Sequence, residues 1–136
     1  MDEAWKKLST DAYDAALLLL QNERWRSMIS RAYYAVFARA TALLVVYGAP
    51  PPNGREGHNH AKLAALIIDH LGYLGDQRFK IAAWVKTLYY DLRLKADYHP
   101  SASVDKGDAR DALSLMRNAC RDLKEPKYDR KKRREK

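Results

Sequence analysis

The sequence predicts an all-α protein, an up-and-down bundle of four to five helices, on three observations. Apolar residues recur at three- and four-residue steps in successive stretches. Runs of proline, glycine and asparagine separate those stretches. No stretch alternates apolar and polar residues with β-branched enrichment and hairpin turns.

Trp5, Leu8, Ala12, Ala15, Ala16 and Leu19 mark the first amphipathic helix, from about Asp2 to Gln21. After the turn Asn22-Glu23-Arg24-Trp25, a second helix runs from about Arg26 to Tyr47. With tyrosine counted as apolar, only Ser30, Arg31, Arg39 and Thr41 are polar between Met28 and Tyr47. A helix apolar nearly all round is buried on more than one side. Its excess apolar surface predicts a homodimer with an isologous interface, the alternative being that it is the central helix of the monomer.

Gly48 ends this helix as a C-cap glycine would, and Ala49 to Gly57, with three prolines and two glycines, is a loop. A third helix follows from about Asn59 to Leu71, with Leu63, Ala64, Ile67, Ile68 and Leu71 facing inward. Gly72 to Asp76 turns the chain into a fourth helix, about Gln77 to Ala96, with Ile81, Ala82, Val85, Leu88, Tyr89, Leu92 and Ala96 on one stripe. At 100° per residue Arg93 borders that stripe rather than facing open water. Beyond Pro100 to Val104, Asp105 can cap a fifth helix to about Leu123, whose inward stripe is Ala109, Ala112, Leu113, Met116, Cys120 and Leu123. Residues 1–123 thus form the bundle.

At 136 residues, 47% hydrophobic and 31% charged, the chain fits one globular domain. A single cysteine excludes an internal disulfide and a multi-cysteine metal site and fits a reducing compartment. The opening Met1-Asp2-Glu3-Ala4-Trp5-Lys6 lacks the pattern of a signal peptide, and Arg31 and Arg39 interrupt the most apolar region, so the expected compartment is the cytoplasm, with no membrane association. His58, His60 and His70 do not converge in a metal-ligand pattern, and no metal or cofactor is expected. The net charge of +8 is uneven: residues 124–136 hold eight Lys or Arg against three Asp or Glu. That basic, expectedly disordered tail, with Arg130, Lys131, Lys132, Arg133 and Arg134, would attract a nucleic-acid backbone by counterion release, or else serve as a solvated end.

The chemistry concentrates in Leu88 to Pro100. Pro100 disfavours helix at His99, so the fourth helix should end near Asp97 to Tyr98 and leave His99 on the following turn. Arg93 supplies a fork of donors matched to phosphate oxygens, and a histidine can exchange a proton near neutrality. The competing reading is that Arg93 complements the helix dipole and pairs with Asp97, four residues on, and that His99 is a loop residue. Tyr33, Tyr34 and Phe37 could stack on bases, but their helical spacing on so apolar an element fits core or interface better.

Ser30-Arg31-Ala32-Tyr33-Tyr34-Ala35-Val36-Phe37, His60, and Arg93-Leu94-Lys95-Ala96-Asp97-Tyr98 resemble, in order and spacing, the HEPN domain (higher eukaryotes and prokaryotes nucleotide-binding), over about Asp2 to Leu123. The resemblance implies a helical bundle that dimerises. Many members are metal-independent endoribonucleases, often toxins of toxin-antitoxin or defence systems, with an Arg followed about four to six residues later by a His. Arg93 and His99 fit that pattern as catalytic residues. One toxin subgroup has a tyrosine two residues past the histidine, where Ser101 stands here. Asp97, Tyr98, Ser30 and Arg31 are the supporting candidates, RNA is the implied partner, and a nucleotidyltransferase antitoxin a further one. The alternative is a noncatalytic module that binds a nucleotide or partners such a nucleotidyltransferase.

Overall fold

The structure is a computed structural model, and its described residues are 1–49 and 57–127. The Pro50-Pro51-Pro52 loop and the basic run Arg130 to Arg134 lie outside them.

The first helix, α1 (Glu3–Gln21), starts where the Asp2 carboxylate accepts the Trp5 N–H at 3.0 Å, a side-chain N-cap. The second, α2 (Trp25–Tyr47), returns antiparallel to it. The Asp2 N–H donates to the Ala42 carbonyl at 2.9 Å, tying the start of α1 to the end of α2. Between them Glu23 adopts a left-handed φ of 59° to reverse the chain. The buried side of α1 is formed by Ser9, Ala12 and Ala16, while Leu8 is exposed. The expected stripe is shifted there because the Ser9 hydroxyl donates to the Ala35 carbonyl at 2.7 Å, which lets a small polar residue sit against α2.

By length and composition α2 could cross a bilayer, yet 67% of its most apolar stretch is buried by the rest of the bundle. Met28, Ile29, Tyr33, Val36, Leu43 and Leu44 are enclosed by the protomer's own helices. The apolar excess that predicted a homodimer is therefore satisfied within one chain, and that argument for a dimer lapses. Gly48 caps α2, and a Cβ there would lie 2.6 Å from the His70 Cβ, a close approach that requires glycine.

The expected third helix is a 3₁₀ turn (His60–Lys62) leading into α3 (Leu63–His70), with Leu63, Ala64, Ile67 and Leu71 buried and Ile68 only partly so. The fourth is a rod of three parts laid end to end: α4 (Gln77–Lys86), a π-helical segment (Thr87–Arg93) and α5 (Leu94–Tyr98). Its wider turn changes the angular step, so a wheel of 100° per residue does not describe the stretch that carries Arg93. Leu88 and Leu92 still face the core. The last helix, α6 (Lys106–Asp122), begins in a capping box: Asp105 accepts the Asp108 N–H at 3.0 Å and the Asp108 carboxylate accepts the Asp105 N–H at 3.2 Å. It buries Ala109, Ala112, Met116 and Ala119, whereas Leu113 and Cys120 pack only partly. Burial pushes the Cys120 thiol up to about 12, so it is an inert core group.

Candidate functional site

Arg93 ends the π-helical segment with only 18% of its side chain exposed. Its guanidinium carbon lies 5.4 Å from the Tyr33 ring, 5.7 Å from Tyr89 and 5.3 Å from Tyr98, a cage of three aromatic rings around one cation. The Nε atom is 2.9 Å from Asp97 Oδ2, across one helical turn. That N–H is not aimed at the oxygen, and Nε is buried without a hydrogen-bond partner. The contact is therefore charge attraction rather than an oriented hydrogen bond. No Arg93 N–H group makes a directed hydrogen bond among the described residues, although five are present on a guanidinium.

His99 follows α5 as its C-cap, at φ −121° and ψ 79°, which is the non-helical conformation expected before Pro100. The residue is exposed, and its ring makes no hydrogen bond or ring contact among the described residues. Its backbone is held instead. Arg26, at the start of α2, donates from Nη1 to the carbonyls of Lys95, Ala96 and His99 at 3.2, 2.9 and 3.2 Å, and from Nη2 to those of Pro100 and Ala102. One guanidinium thus closes the carbonyl end of α5 and fixes the turn bearing His99.

Ser30 and Asp97 meet across α2 and α5, the Ser30 hydroxyl donating to Asp97 Oδ2 at 3.2 Å. Arg31 lies 5.1 Å over the Tyr34 ring. With Arg26 and Ser27 these residues line a cleft of about 420 Å³ beside Ala96 and Asp97. Tyr98 stands 61% exposed with one contact to Arg93. Ser30, Arg93, Asp97 and Tyr98 are thus brought together, and Arg31 borders the same face. His99 stands on the neighbouring turn without touching Arg93 through its ring.

A second histidine packs against two of the rings that cage Arg93. The His60 Nδ1 is 2.9 Å from the Tyr33 hydroxyl, and its ring packs 4.3 Å from Phe37 and lies within 13° of parallel to Tyr89. Burial first, and the Arg93 charge second, hold His60 below its ordinary value, which favours the neutral ring. Burial raises the Tyr33 hydroxyl well above its ordinary range despite Arg93, so it stays protonated.

Arg26 and His60 carry roles that sequence reasoning did not assign. A cation in the first turn of a helix opposes the helix dipole, so Arg26 in an N-terminal turn without an acidic residue signalled a compensating partner. His60 had no signal beyond its place in the resemblance. Among the described residues no group of His, Cys, Asp or Glu could hold a metal ion.

The sequence profile of the HEPN domain matches residues 3–126. The protein "Putative toxin MJ0605" of Methanocaldococcus jannaschii is 30% identical over 117 residues, covering 86% of this chain and 79% of that one. A UPF0332 protein of Thermotoga maritima is 44% identical over 46 residues, 34% of this chain and 35% of its own length. The UPF0332 protein PH1297 of Pyrococcus horikoshii is 44% identical over 45 residues, 33% of this chain and 32% of its own.

Proposed function

The chain belongs to the HEPN domain family, and from that premise we propose that it is a toxin-like protein acting as a metal-independent endoribonuclease with Arg93 and His99 at its centre. The observation that carries this reading is the idle guanidinium: Arg93 is caged by three tyrosines and attracted by Asp97, yet none of its donors is committed to a directed hydrogen bond. Donors left free on a partly buried arginine suit two oxygens of a phosphodiester.

In the proposed reaction the RNA 2′-hydroxyl attacks the adjacent phosphorus. The new 2′-O–P bond forms as the P–O5′ bond breaks, leaving a 2′,3′-cyclic phosphate and a 5′-hydroxyl. His99 exchanges the proton, as base toward the 2′-hydroxyl or as acid toward the leaving oxygen. Arg93 stabilises charge on the non-bridging oxygens. Asp97 and Ser30 hold Arg93 in register, and Arg31 and Tyr98 flank the bound strand. A homodimer would give two copies of the Arg93-His99 pair to one cleft, supplying acid and base from identical residues. The basic tail would add sequence-blind attraction to RNA, and a nucleotidyltransferase antitoxin would cover the site.

The test is cleavage of single-stranded RNA in EDTA by the wild type and His99→Ala. The expected outcome is chelator-resistant cleavage with cyclic phosphate ends, lowered about a hundredfold or more in the variant. Equal rates would remove His99 from the chemistry. An absence of cleavage, with tight nucleotide binding, would favour the noncatalytic module.

A further inference from the structure

Tyr89, which contacts Arg93, also lines a second cleft of about 510 Å³, within the range of small-ligand sites. Tyr34, Phe37, His60 and Tyr89 give it aromatic walls, of which Phe37 is only 3% exposed. Among the described residues lining it, none is Asp, Glu, Lys or Arg. The polar cleft beside Ser30, Arg31 and Asp97 is its chemical opposite. Arg93 connects the two: it contacts Tyr89, which walls the aromatic cleft, and Asp97, which lines the polar one.

We propose that the aromatic cleft of Tyr34, Phe37, His60 and Tyr89 is the subsite for one unstacked nucleobase of single-stranded RNA, next to a phosphate held at Arg93. This deepens the reading of Arg93 as a phosphate site and rests on it. Aromatic walls with no cation among the described lining residues suit the π-face of a base better than a phosphate oxygen. The neutral form favoured for His60 makes its ring a stacking surface rather than a second cation. The Tyr33 hydroxyl fixes that ring at one nitrogen, so the wall is formed before any base arrives. A base paired in a duplex could not enter without leaving its stack, and this restricts the substrate to single strands, loops and ends.

The test uses 2′-O-methyl RNA, which lacks the attacking hydroxyl, so binding is measured apart from cleavage. Short single-stranded oligonucleotides with one abasic nucleotide, moved stepwise along the strand, are titrated against the wild-type protein by fluorescence anisotropy. The expected result is that abasic substitution at one position weakens binding by about tenfold, the contribution of one stacked base, and that a duplex of the same sequence binds more weakly. Tyr34→Leu and His60→Leu should each weaken the intact strand severalfold, leave the strand abasic at that position unchanged, and preserve the salt dependence. Tyr89→Phe, which keeps the ring, should bind as wild type. Equal affinity for every abasic strand, equal affinity for duplex, or no binding at all would overturn the subsite. Base-dependent binding of the methylated strand together with no cleavage of ordinary RNA would leave the subsite standing and remove the nuclease.

Discussion

Two arginines separated by 67 positions show how the same side chain is put to opposite uses in this bundle. Arg26 commits its guanidinium to the carbonyls of Lys95, Ala96, His99, Pro100 and Ala102. Arg93, in the rod that Arg26 clamps, is surrounded by rings and faces one carboxylate, with no directed hydrogen bond from any of its donors. A saturated guanidinium stabilises the fold and has nothing left for a ligand. The unsaturated one keeps its Nε buried without a hydrogen-bond partner, and such a site is where an anion is expected.

That contrast predicts opposite outcomes for the two positions. The largest effect on the fold should come from Arg26→Ala, which removes charge-assisted hydrogen bonds to the end of α5 and lowers stability by about 2 kcal/mol, seen as a melting temperature several degrees lower. Arg26→Lys should recover little, because an ammonium cannot reach a fan of carbonyls with fixed planar geometry. Amide exchange at residues 97–102 should rise in both variants. Unchanged exchange would mean that the turn carrying His99 is held by something else.

A smaller effect belongs to His60. Burial and the Arg93 charge both disfavour the protonated His60 ring in the folded chain, whereas in the unfolded chain it protonates near the ordinary value of 6.5. The unfolded state therefore takes up the proton first. The stabilisation due to neutral His60 is complete above that value and is lost as the pH falls toward the lowered folded value. Melting curves between neutral pH and about pH 5 should show wild type losing more stability than His60→Gln. The smallest effect belongs to Ser30→Ala: its hydrogen bond to Asp97 is exposed and 3.2 Å long, so thermal stability should change by no more than about 0.5 kcal/mol.

Much of the bundle was legible in the sequence because helical periodicity and turn residues report burial locally. Gly48 as a C-cap, Asp105 as an N-cap and the end of the rod before His99 were each readable from one or two residues. What was not legible depended on distance. The π-helical segment leaves no mark in a pattern that assumes a constant angular step. Leu8 faces out because Ser9 finds a carbonyl on α2, a partner 26 positions away. Within the site, the Arg93-Asp97 pair was readable at a spacing of four residues. The cage of Tyr33 and Tyr89, the Tyr33-His60 contact and the grip of Arg26 on the His99 turn all join segments remote in sequence.

The most direct measurement is cleavage of a single-stranded RNA in EDTA by the wild type and Arg93→Gln, with thermal melts of both. If the idle guanidinium holds the scissile phosphate, the variant melts within about 1 kcal/mol of the wild type, since it loses one partly buried ion pair and no directed hydrogen bond, and cuts about a hundredfold or more slowly. A variant that cuts at the wild-type rate would contradict that role for Arg93, and so would a wild type whose cutting requires a divalent metal.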